Sequence, residues 1–91
     1  MSSYEFEVAA KNAVISALAK RDILVTIRDL ELVWFAHVLG SKKCLIWGSE
    51  MEGLYAEVTF RADTMMMYVD LYEKIENIPV SPDDQVPMVL G

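Results

Sequence analysis

The stretch 53–73, GLYAEVTFRADTMMMYVDLYE, decides the fold. Leu54, Ala56, Val58 and Phe60 fall on one parity and Tyr55, Glu57, Thr59 and Arg61 on the other, which is the period of a strand with one buried face. The pattern resumes beyond a polar break. Met65, Met67, Val69 and Leu71 share one face, and Met66, Tyr68, Asp70 and Tyr72 the opposite one. A reversal through residues 61–64 pairs the two runs as a hairpin with Phe60 opposite Met65 and Val58 opposite Met67. The apolar faces then coincide, and a one-residue slip would separate them. The run Met65-Met66-Met67 reads as core and sheet filling, because the alternation continues through it.

Upstream, Ser2 with Glu5 has the spacing of a helix capping box. From residue 4 to about 21, Phe6, Ala10, Ala13, Val14, Ala17 and Leu18 recur at intervals of three and four, an amphipathic helix whose small residues let it lie close to a sheet. Residues 22–29 form an apolar connector with Ile23, Leu24, Val25 and Ile27. Residues 30–39, LELVWFAHVL, are rich in β-branched and aromatic side chains and stop at Gly40-Ser41, so they read as a strand entering a hairpin. Glycine at the first central position suits a type II′ turn, with His37 opposite Cys44, Trp34 opposite Trp47 and residues 42–48 as the second strand. A loop over 48–53 leads into the opening stretch. Residues 75–80 extend the last strand in this reading, and the tail, with Pro79, Pro82 and Pro87, is irregular. The expectation is an α+β fold, one N-terminal helix on a four-stranded antiparallel meander, with a single domain over 1–80 and a tail over 81–91.

Ninety-one residues suit one modest core. No apolar run reaches the roughly 18 residues of a membrane helix, since Arg28, Asp29 and Glu31 interrupt the longest stretch. The N-terminus is acidic where a secretory leader would be basic, and Cys44 is the sole cysteine, so a cytoplasmic location is expected. The net charge of −6 is uneven: residues 1–49 carry five acids against six bases, and residues 50–91 carry nine acids against Arg61 and Lys74. A basic footprint for nucleic acid is missing, and no membrane or direct nucleic-acid partner is expected. The acidic half either faces a basic protein surface or is an ordinary solvated face.

Little in the sequence points to catalysis. His37 and Cys44 are the pair from which an activated thiol could be built, but no orienting group or oxyanion site accompanies them, and a strand histidine with a packed cysteine explains the same residues. One histidine and one cysteine do not make a structural zinc site, and Glu50 and Glu52 lack the spacing of a calcium loop. Glycine-rich phosphate cradles are also missing. The protein is expected to be no enzyme and to use no cofactor or metal. More informative is the face opposite the helix. It carries Tyr55, Tyr68, Tyr72 and Met66 among Glu57, Asp70 and Thr59, with Glu57 set against Tyr68 and Asp70 against Tyr55 in the expected register. Carboxylates flanked by phenols can accept an arginine from a partner, or they can be plain cross-strand pairs. Tyr55, Glu57, Tyr68, Asp70 and Tyr72 are therefore the expected interaction face. Self-association through this face or along an edge strand, as a homodimer or higher homo-oligomer, is expected as well.

Val33-Trp34, then LGSKKCLIW over 39–47, then GLYAEVTFRADTMMMYVDLYEKIENI over 53–78 resemble a family of small uncharacterised proteins encoded by phages and prophages of Gram-positive bacteria. The family block is close to G-x-Y-x-E-V-T-Y followed by Y-x-D-x-Y-x-K. It corresponds to Gly53, Tyr55, Glu57, Val58, Thr59 and Phe60, then Tyr68, Asp70, Tyr72 and Lys74. Two departures stand out. The family's Asn-Gly-Asp-like turn is replaced by Arg61-Ala62-Asp63-Thr64, which favours a longer loop, and Phe60 replaces a tyrosine. The resemblance carries no assigned activity or site. It implies a small accessory protein in the cytoplasm of an infected or lysogenic host. Two functions fit: a non-enzymatic inhibitor that binds a host protein such as a defence nuclease, or an oligomer that holds a small ligand such as a nucleotide signal, with Tyr68, Tyr72 and Asp70 lining the pocket.

Overall fold

The computed structural model describes residues 1–84. Helix α1, Ser3–Ala19, starts where the sequence places it: Ser2 Oγ accepts from the Glu5 N–H at 3.1 Å, and the Glu5 carboxylate accepts from the Ser2 N–H at 3.0 Å. These two bonds satisfy groups the first turn would otherwise leave open, and they hold the Glu5 carboxyl below its ordinary range. Phe6, Ala10, Val14 and Leu18 are buried, one residue per turn. Asp22, at a φ of 62°, turns the chain out of the helix. Ile23 and Val25 then dip into the core while Leu24 stays exposed. A short 3-10 turn, Ile27–Asp29, is closed by the Asp29 carboxylate, which accepts from the Thr26 N–H at 2.8 Å and from its hydroxyl at 3.1 Å.

Four strands follow: β1 Glu31–Val38, β2 Ser41–Trp47, β3 Leu54–Arg61 and β4 Met66–Glu73. They form one antiparallel sheet in sequence order, so the expected α+β meander is the observed architecture. Helix α1 lies over β2, β3 and β4. Cys44, Ile46, Leu54, Ala56, Val58 and Phe60 point at it and are buried, with Met67, Val69 and Leu71 packed at the margin. Gly48, after β2, is required by space: a methyl group there would overlap the carbonyl oxygen of Asp29.

Both hairpin registers differ from expectation by two residues. Between β1 and β2 the loop is Leu39-Gly40, both at positive φ (51° and 83°), the mark of a type I′ rather than a type II′ turn. Val38 therefore pairs with Ser41, His37 with Lys42 and Phe35 with Cys44. Trp34 stands opposite Leu45 in the same register, and a bulge at Val33 then sets Leu32 opposite Ile46 and Glu31 opposite Trp47. Between β3 and β4 the chain reverses over residues 62–65. Arg61 pairs with Met66, Phe60 with Met67 and Val58 with Val69. The loop has four residues, as a stretch without glycine or asparagine favours. Met65 leaves the core face for this loop, at a φ of 58°, and its N–H donates to the Arg61 carbonyl at 2.8 Å. Ser41 Oγ accepts from the Ala62 N–H at 3.1 Å, which ties the two turns together. A shift of two keeps the side chains of the paired residues of β3 and β4 on their expected faces, Met65 in the loop apart, so the faces survive while the pairs change. Strand β4 ends at Glu73, and residues 74–81 add no strand. Pro82 opens a short 3-10 turn, and Pro87 lies outside the described residues.

Candidate interaction face

The face of the sheet turned away from α1 gathers all five residues singled out in the sequence. Tyr55 and Glu57 come from β3, and Tyr68, Asp70 and Tyr72 from β4. The two-residue shift changes their partners. Glu57 stands opposite Asp70 rather than Tyr68, Tyr55 opposite Tyr72, and Tyr68 opposite Thr59. The pairing that put each carboxylate against a phenol is thereby corrected. Tyr55 and Tyr72 stack instead, ring centroids 5.2 Å apart and planes 15° from parallel. Such a pair is worth about 0.5–1.5 kcal/mol beyond the area it buries.

Two carboxylates in register repel. The compensating charge is Lys43, which sequence reasoning passed over. Its ammonium lies 3.0 Å from Glu57 Oε1. The hydrogen bond that Lys43 donates to Glu57 holds its pKa above the ordinary value, and the carboxylate of Asp70 adds a smaller push the same way. One lysine thus faces two acids. Arg61, at the end of β3, is bidentate to Asp63 in the loop, at 3.2 and 2.8 Å. That contact raises the guanidinium pKa and holds the Asp63 carboxyl below its usual range. Thr59, Arg61, Tyr68 and Asp70 border an open cleft of about 290 Å³.

The same face continues onto β1 and β2 with Trp34, Ala36, Val38, Leu45 and Trp47. Both tryptophans are 40% exposed. The signal for these was present, since Lys43, Leu45 and Trp47 share the parity opposite to Cys44 and Ile46. That parity also turns Lys42 inward, and it is the one charged residue buried among those described, 6% exposed beside Phe60. No fully buried side-chain nitrogen or oxygen lacks a partner among the described residues, consistent with a Lys42 stem that packs while its ammonium reaches toward solvent.

The expected His37–Cys44 pair is not formed. His37 faces Lys42 rather than Cys44. Cys44 is fully buried, and desolvation, with the Glu7 carboxylate adding to it, pushes the thiol up to about 11. A thiol in that state is a poor nucleophile at neutral pH. Glu50 and Glu52 join no cluster of metal-ligating side chains among the described residues. No helix in the described residues is long and apolar enough to cross a membrane.

No curated protein and no solved structure matches the chain. One family does, over residues 7–82, a span that holds most of α1, all four strands and every residue of the open face. The chain therefore belongs to DUF6275, a family of unknown function.

Proposed function

We propose that this chain is a non-enzymatic phage accessory protein that binds a protein of its Gram-positive host through the open face of the sheet, as an inhibitor of a nucleic-acid-binding enzyme such as a defence nuclease. The observation that carries the proposal is the facing pair Glu57 and Asp70 with Lys43 as the lysine beside them, set among exposed aromatic side chains. Residual negative charge on an aromatic floor suits an arginine or lysine from a partner. Arginine and aromatic side chains supply most of the energy at protein interfaces. The acidic half of the chain complements the basic surfaces that nucleic-acid enzymes present, and it would speed association at low salt. The resemblance to phage proteins supports the setting. Affinity capture from host lysate tests the idea. The parent chain should retain a partner in a salt-sensitive way, and the Tyr68→Ala/Asp70→Ala double variant should not.

A second reading rests on the cleft bordered by Thr59, Arg61, Tyr68 and Asp70. At about 290 Å³ it sits near the lower end of ligand-sized pockets. Arg61 and Tyr68 there offer a cation and an aromatic ring to a nucleotide signal. A rise in melting temperature with added nucleotides would favour it over the protein partner.

A further inference from the structure

Strand β1 carries more exposed large apolar residues than any other strand, four against three on β4. Val33, Trp34, Phe35 and Val38 are all exposed, and Leu39 in the following turn is 96% exposed. Two sides of this strand are open. Helix α1 lies over the other three strands and reaches β1 through the Phe6 and Phe35 rings, 5.7 Å apart. Among the described residues, nothing covers the face opposite α1 and no strand neighbours the outer edge.

Exposed edges are normally blunted by lysine, proline, inward charge or a bulge. Strand β1 has one such device, the bulge at Val33, which leaves Trp34–Val38 regular. That stretch, WFAHV, contains no lysine, arginine, acid or proline. The opposite edge, β4, carries Asp70 and Glu73, so two copies meeting there would oppose like charges. Charge thus selects one edge. With nine acids in residues 50–91, two copies of this chain approach best through their first halves, where acids and bases nearly balance.

Hydrogen-bond alternation then selects a register. Val38 and Ser41 close the two-residue turn, so their backbone groups face each other. Going back along β1, the N–H and C=O of His37 and Phe35 consequently point to the free edge. We infer that two copies of this chain pair antiparallel through β1, with Phe35 of one opposite His37 of the other and Ala36 opposite its own counterpart on the two-fold axis. Trp34 of each copy then lies beside Val38 of the other, and the two four-stranded sheets become one of eight strands. Isologous pairing of this kind closes the assembly as a dimer. It also joins the two open faces, so each dimer presents the Glu57–Asp70 site twice. The dimer is independent of what that site binds.

Sedimentation equilibrium of the purified chain at tens of micromolar should give twice the monomer mass. His37→Pro removes an edge N–H that serves no bond within the sheet, so it should keep the far-UV spectrum and the thermal transition while halving the mass. Non-hydrogen-bonded antiparallel partners have Cα atoms about 4.5 Å apart, within disulfide range. Ala36→Cys should therefore cross-link into a covalent dimer under mild oxidation, and Asp70→Cys should not. A monomeric parent chain, a folded His37→Pro variant that remains a dimer, or cross-linking through Asp70→Cys in preference to Ala36→Cys would each overturn the proposal.

Discussion

The Lys43 ammonium sits 3.0 Å from the Glu57 carboxylate, and Glu57 stands directly opposite Asp70 on the next strand. The lysine offsets a repulsion the strand register imposes. Its pKa is raised in the folded chain by the bond to Glu57, so the pair's contribution to stability is present below the ordinary lysine value and is lost as pH rises through the folded one. Lys43→Gln should lower the urea midpoint at neutral pH, and the difference from the parent should close above the lysine range. An unchanged midpoint at pH 7 would mean that the two carboxylates do not repel.

Val58 is fully buried at the centre of β3, between Cys44 on β2 and Val69 on β4. Val58→Asp would place a charge with no partner under α1. The cost, several kcal/mol, is comparable to the roughly 5–15 kcal/mol by which a domain is stable. The variant should show no cooperative thermal transition by circular dichroism.

Leu39 occupies the left-handed region at a φ of 51° with its side chain almost wholly in solvent. It bears the strain of that conformation with little packing in return. Leu39→Asn, which creates the Asn-Gly pair favoured in type I′ turns, should stabilise the fold by about 1 kcal/mol in urea titration. A loss of stability would show that the turn is not type I′.

Cys44 should resist alkylation at pH 7–8 in the folded chain and react promptly in denaturant. Burial raises its folded pKa from 9.0 to about 11. Above pH 9 the unfolded chain releases this proton while the folded chain retains it, so stability is intact below 9 and falls as pH climbs toward 11. The slope is about 1.4 kcal/mol per pH unit for one group. Cys44→Ala should flatten the decline in this window.

The faces of the sheet were legible because period-two alternation survives any even slip, and both hairpins slipped by two. Their registers were not legible. Each depends on a left-handed residue, Leu39 or Met65, whose identity does not advertise that conformation. The bulge at Val33 left no mark in the alternation either. Helix α1 was readable to within a residue at its start, since Ser2 and Glu5 supply both halves of the cap. On the open face, the five residues chosen by parity do lie together. The charge balance did not emerge, because Lys43 belongs to β2 and its diagonal reach to Glu57 depends on the strand order. Trp34 and Trp47 were placed opposite each other, and they share the face through the neighbouring pairs.

The claim that the open face is where this protein acts is tested most directly by Tyr68→Ala/Asp70→Ala. Both side chains are exposed, and neither packs in the core. The double variant should keep its melting temperature within a few degrees of the parent, because surface changes usually stay within about 0.5 kcal/mol each. Binding to a partner captured by the parent chain, measured by titration calorimetry, should weaken at least tenfold, or about 1.4 kcal/mol. Full-strength binding by the folded double variant would contradict the account.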